Sequence, residues 1–166
     1  RRFPYDPVRD FFPLGRLGTT AITFCVGPTV PASVTTLAEF VAWGRDRDLA
    51  FGNYGQGSTG HAYALLLAQE ARLRVTQVAY RGEAPMLQDL LAGNFHGGFH
   101  SMTASGEMIR TRRIRPLATG GADRVPSLAS EVPTLLELGY SRRFDFTGFT
   151  GLFAPARVPQ PILDQL

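Results

Sequence analysis

The chain has 166 residues, 44% of them hydrophobic and 19% charged, enough apolar material for one ordinary domain or most of a larger bilobed one. These fractions exclude a disordered chain, no apolar run is long enough to span a membrane, and the single cysteine, Cys25, excludes an internal disulfide framework. The net charge of +3 rests on scattered arginines with no lysine, too small and diffuse to imply nucleic acid.

Residues 1–15 (RRFPYDPVRDFFPLG) read as a Pro-rich connection without an initiator Met or a signal-peptide core. TTAITFCV, residues 19–26, is β-branched and aromatic and predicts one buried strand, in which Cys25 is a small hydrophobe. A helix follows, with Leu37, Phe40 and Val41 on one face, Ser33 or Thr35 as its cap and Gly44 at its end. LAFGN is a short strand, and HAYALLLAQEARL a strong helix former stopped by the β-rich VTQVAY.

The alternation then repeats. EAPMLQDLLAG is a helix with Pro85 in its first turn, NFHGGFH a strand, SMTASGEMIRTR a helix and IRPLATG a strand. Residues 121–134 form a loop, TLLELGY a short helix, and FDFTGFTGLFAP a last strand before a Pro-punctuated end. Strands alternating with helices predict an α/β fold: a mostly parallel sheet with helices on both faces.

In such a sheet, ligands bind at the carboxyl ends of the strands. Three loops fall there: Tyr54–Thr59, Tyr80–Gly82 and His100–Thr103. The first contains Gly55-x-Gly57-x-x-Gly60. Gly55 and Gly57 let backbone approach a ligand, and the N–H groups of Ser58, Thr59 and Gly60 are expected to point outward at the positive end of a helix. That geometry suits phosphate or carboxylate alike; the plainer reading is that Ser58 or Thr59 only caps the helix.

The literal motif reading is a dinucleotide site in a Rossmann-like oxidoreductase. That fingerprint asks for an acidic residue about twenty positions on. Tyr80-Arg81 stands there instead, so only NADP, with Arg81 on its 2′-phosphate, fits. Catalysis has little support: HExxH, CxxC and GxSxG are all missing. His96 and His100 would sit roughly 13 Å apart on one strand face, too far to share a metal. His61 reads as a first-turn residue bonding locally.

Several strings, in order, carry a resemblance. They are Pro4-Tyr5-Asp6-Pro7-Val8-Arg9-Asp10-Phe11, the loop from Phe51 to His61, Val78-Ala79-Tyr80-Arg81-Gly82 with Ala84-Pro85, and Asp89-Leu90-Leu91-Ala92-Gly93. Arg115 to Ala118, Glu131 to Thr134 and Gly151 to Pro155 complete the set. Over nearly its whole length the chain resembles the tripartite tricarboxylate transporter substrate-binding proteins, the TctC or Bug family.

The resemblance implies a lobe of a type II periplasmic binding protein: a non-enzymatic periplasmic receptor that captures a small organic acid and hands it to a membrane permease. It implies no cofactor, metal or nucleic acid. Both ends then read as cuts in a longer chain. Residues 1–27 are expected to cross from a first lobe, 28–141 to form the second lobe, and 142–166 to return, and self-association of the exposed lobe is a further possibility. Carried onto this sequence, the ligand site is expected at Gly55, Gly57, Ser58, Thr59, Tyr80, Arg81, Gly82, His100 and Ser101. The family usually has Asp where this chain has His96 and His100, with His100 beside the cleft.

Overall fold

Glycine and proline punctuate the sequence into short elements, and the computed structural model realises most of that punctuation. It describes residues 4–126 and 131–166. Arg1–Phe3 of the N-terminal connection and Ser127–Ser130 of the expected loop lie outside the described residues. In chain order the elements are β1 (Phe11–Thr20), β2 (Ile22–Val26), α1 (Leu37–Gly44), β3 (Asp48–Asn53), α2 (Thr59–Glu70), β4 (Arg74–Ala79) and α3 (Glu83–Ala92). Then come β5 (Gly97–Ser101), α4 (Met102–Arg110), β6 (Arg115–Thr119), a 3-10 turn at Arg142–Phe144, β7 (Gly148–Pro155) and α5 (Gln160–Leu163). They pack as two compact units. One is Thr20–Gly148; the other joins the described residues up to Thr19 to Phe149–Leu166.

The larger unit is a five-stranded sheet in the order β4-β3-β5-β2-β6. β3 runs parallel to β4 and β5, whereas β2 runs antiparallel to both β5 and β6. The expected mostly parallel sheet is therefore mixed, because one reversed strand lies inside it. All five residues of β2 are buried, so adjacent side chains feed opposite cores. Phe24 and Val26 join Phe51 and Phe99 on one face, covered by Phe40 of α1 and Tyr63, Ala64 and Leu67 of α2. Cys25 joins Phe95 and Ile114 on the other, covered by Met86 and Leu90 of α3 and Ile109 of α4. Helices thus shield both faces, as the periodicity predicts.

Local chemistry sets the boundaries. The α1 cap is Thr36, not Ser33 or Thr35: its side chain accepts the Glu39 N–H while Glu39 reaches back to the Thr36 N–H, a closed capping box. The expected strand over 19–26 is two strands, broken at Ala21. The stretch after Asp10, read as a connection, is the long strand β1, which forms a two-stranded sheet with β7 in the smaller unit. TLLELGY is a turn rather than a helix, since Thr134 is drawn into a parallel bridge with Thr119. β5 begins only at Gly97, and the His96 imidazole instead accepts the Ala50 N–H at 2.9 Å through Nδ1.

Candidate functional site

The parallel strands β3, β4 and β5 end on one edge of the sheet, at Asn53, Ala79 and Ser101. α2, α3 and α4 start from that edge, which gathers three positive helix ends together. All the expected site residues lie at these three strand–helix junctions.

At the first junction, Gly55 and Gly57 have φ of +152° and +83°, and a Cβ on either would meet open space, so backbone conformation is what glycine supplies there. Gly60 differs: a Cβ would fall 2.5 Å from the Tyr54 ring. Most of the loop's N–H groups are already spoken for. Gly55 N–H donates to Asn53 Oδ1 at 3.2 Å, Gly57 N–H to His61 Nδ1 at 3.1 Å, and Gly60 N–H to the Tyr54 hydroxyl at 2.9 Å. Ser58 N–H donates to the Gly55 carbonyl at 3.1 Å. The expected outward trio of Ser58, Thr59 and Gly60 therefore reduces to Thr59 N–H, which has no partner among the described residues. The turn folds onto itself because a Tyr and a His flank its glycines. Ser58 caps α2 by accepting the His61 N–H at 3.2 Å, which leaves its hydroxyl proton free to donate. What remains toward solvent is the Thr59 N–H and the Ser58 hydroxyl, because the Thr59 hydroxyl hydrogen-bonds the Tyr54 side chain; both residues are partly exposed.

At the second junction, the Tyr80 hydroxyl donates to Asp89 Oδ2 at 2.8 Å and its ring lies against Phe95. Burial, and then the neighbouring carboxylate, push Tyr80 up to about 12, so it stays a neutral phenol tied to α3. Arg81 is exposed and makes no ion pair or hydrogen bond among the described residues. Gly82 takes φ of +107° to turn the chain into α3.

At the third junction Ser101 is consumed internally. Its N–H and hydroxyl donate to the two oxygens of Glu83, each at 2.6 Å, and its Oγ caps α4 by accepting the Ala104 N–H at 3.2 Å. Sequence reasoning passed over Glu83; its spacing eighteen residues before Ser101 carries no local signal. His100, expected beside the cleft, is wholly buried. It pairs across the sheet with Thr23, itself bonded to Thr119, and both ring nitrogens lack a partner among the described residues. Burial pushes its imidazole down to about 4, so it is neutral. Among the described residues, no group of three or more His, Cys, Asp or Glu could hold a metal ion.

The comparisons with known proteins now bear on this edge. The family model described as "Tripartite tricarboxylate transporter family receptor" (TctC) matches residues 1–166. This chain belongs to that receptor family. A relative from Pseudomonas sp. (strain P51), the "UPF0065 protein in tcbD-tcbE intergenic region", is 31% identical over 99% of this chain and 49% of its own length. BugT of Bordetella pertussis is 27% identical over 82% of this chain and 42% of its own. The chain thus spans about half the length of these receptor-family relatives. Among solved structures, R. palustris Rpa4515 with adipate superposes with a TM-score of 0.89 at 32% identity, covering 99% of this chain and 55% of that one. MatC from Rhodopseudomonas palustris, with bound malate, gives 0.85 at 26% identity, covering 98% and 55%. The fold is the α/β fold of these structures and of the periplasmic binding protein BugD, and no helix among the described residues is long and apolar enough to cross a membrane.

Proposed function

We propose that the whole protein is a periplasmic solute receptor. It captures a small organic carboxylate at the edge where α2, α3 and α4 begin, and passes it to the membrane permease of a tripartite tricarboxylate-type transporter. The observation that carries this reading is the α2 N-terminus: the Thr59 N–H and the Ser58 hydroxyl are the donors left toward solvent, in a chain matched end to end by the receptor family. Two solved structures of similar fold carry adipate and malate, which supports a small organic carboxylate as the class of ligand. In this reading Thr20–Gly148, which takes in β2 along with the expected 28–141, is one lobe, the segments on either side cross to a second, and closure of the two surrounds the ligand. Tyr80, Gly82 and His100 act by shaping the edge, and Arg81 is its exposed cation. The role is capture and release, with no reaction at the site.

Donor arithmetic sets this reading against the nucleotide alternative. A pyrophosphate needs a run of backbone N–H groups, and those of Gly55, Gly57, Ser58 and Gly60 are engaged within the loop. One N–H and one hydroxyl match the two oxygens of a single carboxylate better.

The test is calorimetry on the full-length protein with adipate and malate, in wild type and in Ser58→Gly/Thr59→Val. Glycine serves nearly as well as a cap and valine keeps threonine's shape, so folding should survive. We expect affinity to fall at least tenfold with little change in melting temperature. Unchanged affinity removes the α2 cradle from the site, and thermal stabilisation by NADPH alone restores the nucleotide reading.

A further inference from the structure

Glu83 runs against the chemistry of an anion site. Two converging donors, the Ser101 N–H and hydroxyl, hold its oxygens at 2.6 Å each. That pair is what a ligand carboxylate would use, so the β5–α4 corner is a carboxylate pocket already filled from within the chain. Ser101 has nothing left to give: its hydroxyl proton goes to Glu83, its oxygen caps α4, and the residue is buried. The corner that the sequence reads as a donor to anions therefore presents an anion.

Glu83 keeps capacity to bind. A carboxylate has about four acceptor positions. Ser101 takes one on each oxygen, and Glu83 is only partly buried. No ion pair with Arg81 or any other cation neutralises it among the described residues. Its position relative to the α2 cradle is fixed by the sheet. β3 and β5 are bonded neighbours, adjacent strands lie about 4.8 Å apart, and the cradle follows β3 while Ser101 ends β5.

Resting on the receptor reading above, we propose that Glu83 determines specificity. The ligand offers one carboxylate to Ser58 and Thr59, and a hydrogen-bond donor, hydroxyl or amino, to Glu83. A ligand that turns a second carboxylate to this corner meets a held negative charge.

The experiment is calorimetry on the full-length protein with two matched series: adipate, 6-hydroxyhexanoate and 6-aminohexanoate, and succinate, 4-hydroxybutanoate and 4-aminobutanoate. In wild type, the better donor-bearing acid of at least one series should bind tenfold or more tighter than its dicarboxylate, and this arm needs no variant. In Glu83→Gln, whose amide can donate to a carboxylate, that preference should shrink at least tenfold or invert. Tighter binding of the amino acid than of the hydroxy acid assigns the donor to an ammonium, and the reverse assigns it to a hydroxyl. A wild type that favours both dicarboxylates, or a folded Glu83→Gln with an unchanged preference, overturns the role of Glu83 and leaves the receptor reading standing. Failure of all six acids to bind wild type overturns both.

Discussion

The Tyr54 hydroxyl accepts the Gly60 N–H at 2.9 Å, and the same ring fills the space where a Cβ on Gly60 would lie, 2.5 Å away. Gly60 is thus required by packing and Gly57, at φ +83° with open space around it, by backbone conformation. The two should fail differently. Gly57→Ala should cost about 1 kcal/mol from its left-handed backbone. Gly60→Ala should cost about 1–3 kcal/mol by overpacking, and Tyr54→Ala in the same chain should recover part of it. Urea unfolding of Gly57→Ala, Gly60→Ala, Tyr54→Ala and the Gly60→Ala/Tyr54→Ala double measures both effects; equal costs with strict additivity would refute the distinction.

Tyr63 ties α2 to the segment around the 3-10 turn. Its hydroxyl lies 2.8 Å from both the Phe144 and Phe146 carbonyl oxygens, and burial pushes it up to about 12. Gly121 also donates to the Phe144 oxygen, so Phe146 loses most when the hydroxyl is removed. Tyr63→Phe should cost about 1 kcal/mol, with the melting temperature lower by about 3 °C, and ligand affinity unchanged. A loss of binding without a loss of stability would contradict this assignment.

His100 makes stability fall with acid. Its folded value is about 4 against an ordinary 6.5, so between those values the unfolded chain binds a proton that the folded chain refuses. The contribution is complete above about pH 6.5 and is lost progressively as pH falls toward 4, on the order of 3 kcal/mol in all. Burial lowers His96 as well, less steeply, and adds in the same sense. Denaturant titrations at pH 7 and pH 5 should show a drop in wild type that His100→Leu largely removes. An equal drop in the variant would place the acid sensitivity elsewhere.

The α/β class, the helices on both faces and the three strand–helix loops on one edge are legible because glycine, proline and apolar periodicity act locally. What escaped the sequence was long-range. Phe11–Thr20 carries Pro13, Gly15 and Gly18 and a largely exposed pattern, so nothing in it signals a strand; β7, far along the chain, makes it one. The reversal of β2 is invisible because a wholly buried strand reads the same in either direction. TLLELGY has helical composition but surrenders its first residues to bridge with Thr119. At the site, spacing reveals the glycines but not that Tyr54 and His61 take their N–H groups, nor that Glu83 reaches Ser101. The family motifs locate the edge; only side-chain geometry shows which donors are left.

The reversed strand β2 also dictates an order of events during synthesis. Ile22–Val26 leaves the ribosome well before its partners, Gly97–Ser101 and Arg115–Thr119. β3 and β4 can pair as soon as α2 exists, since they are neighbours in both chain and sheet. β2 must wait with both edges bare while most of the larger unit is made, and its ITFCV sequence is the kind that recruits stray strands. Nascent chains stalled after α3 should therefore depend on a holding chaperone, and that dependence should end once β6 has emerged to close the far side of β2.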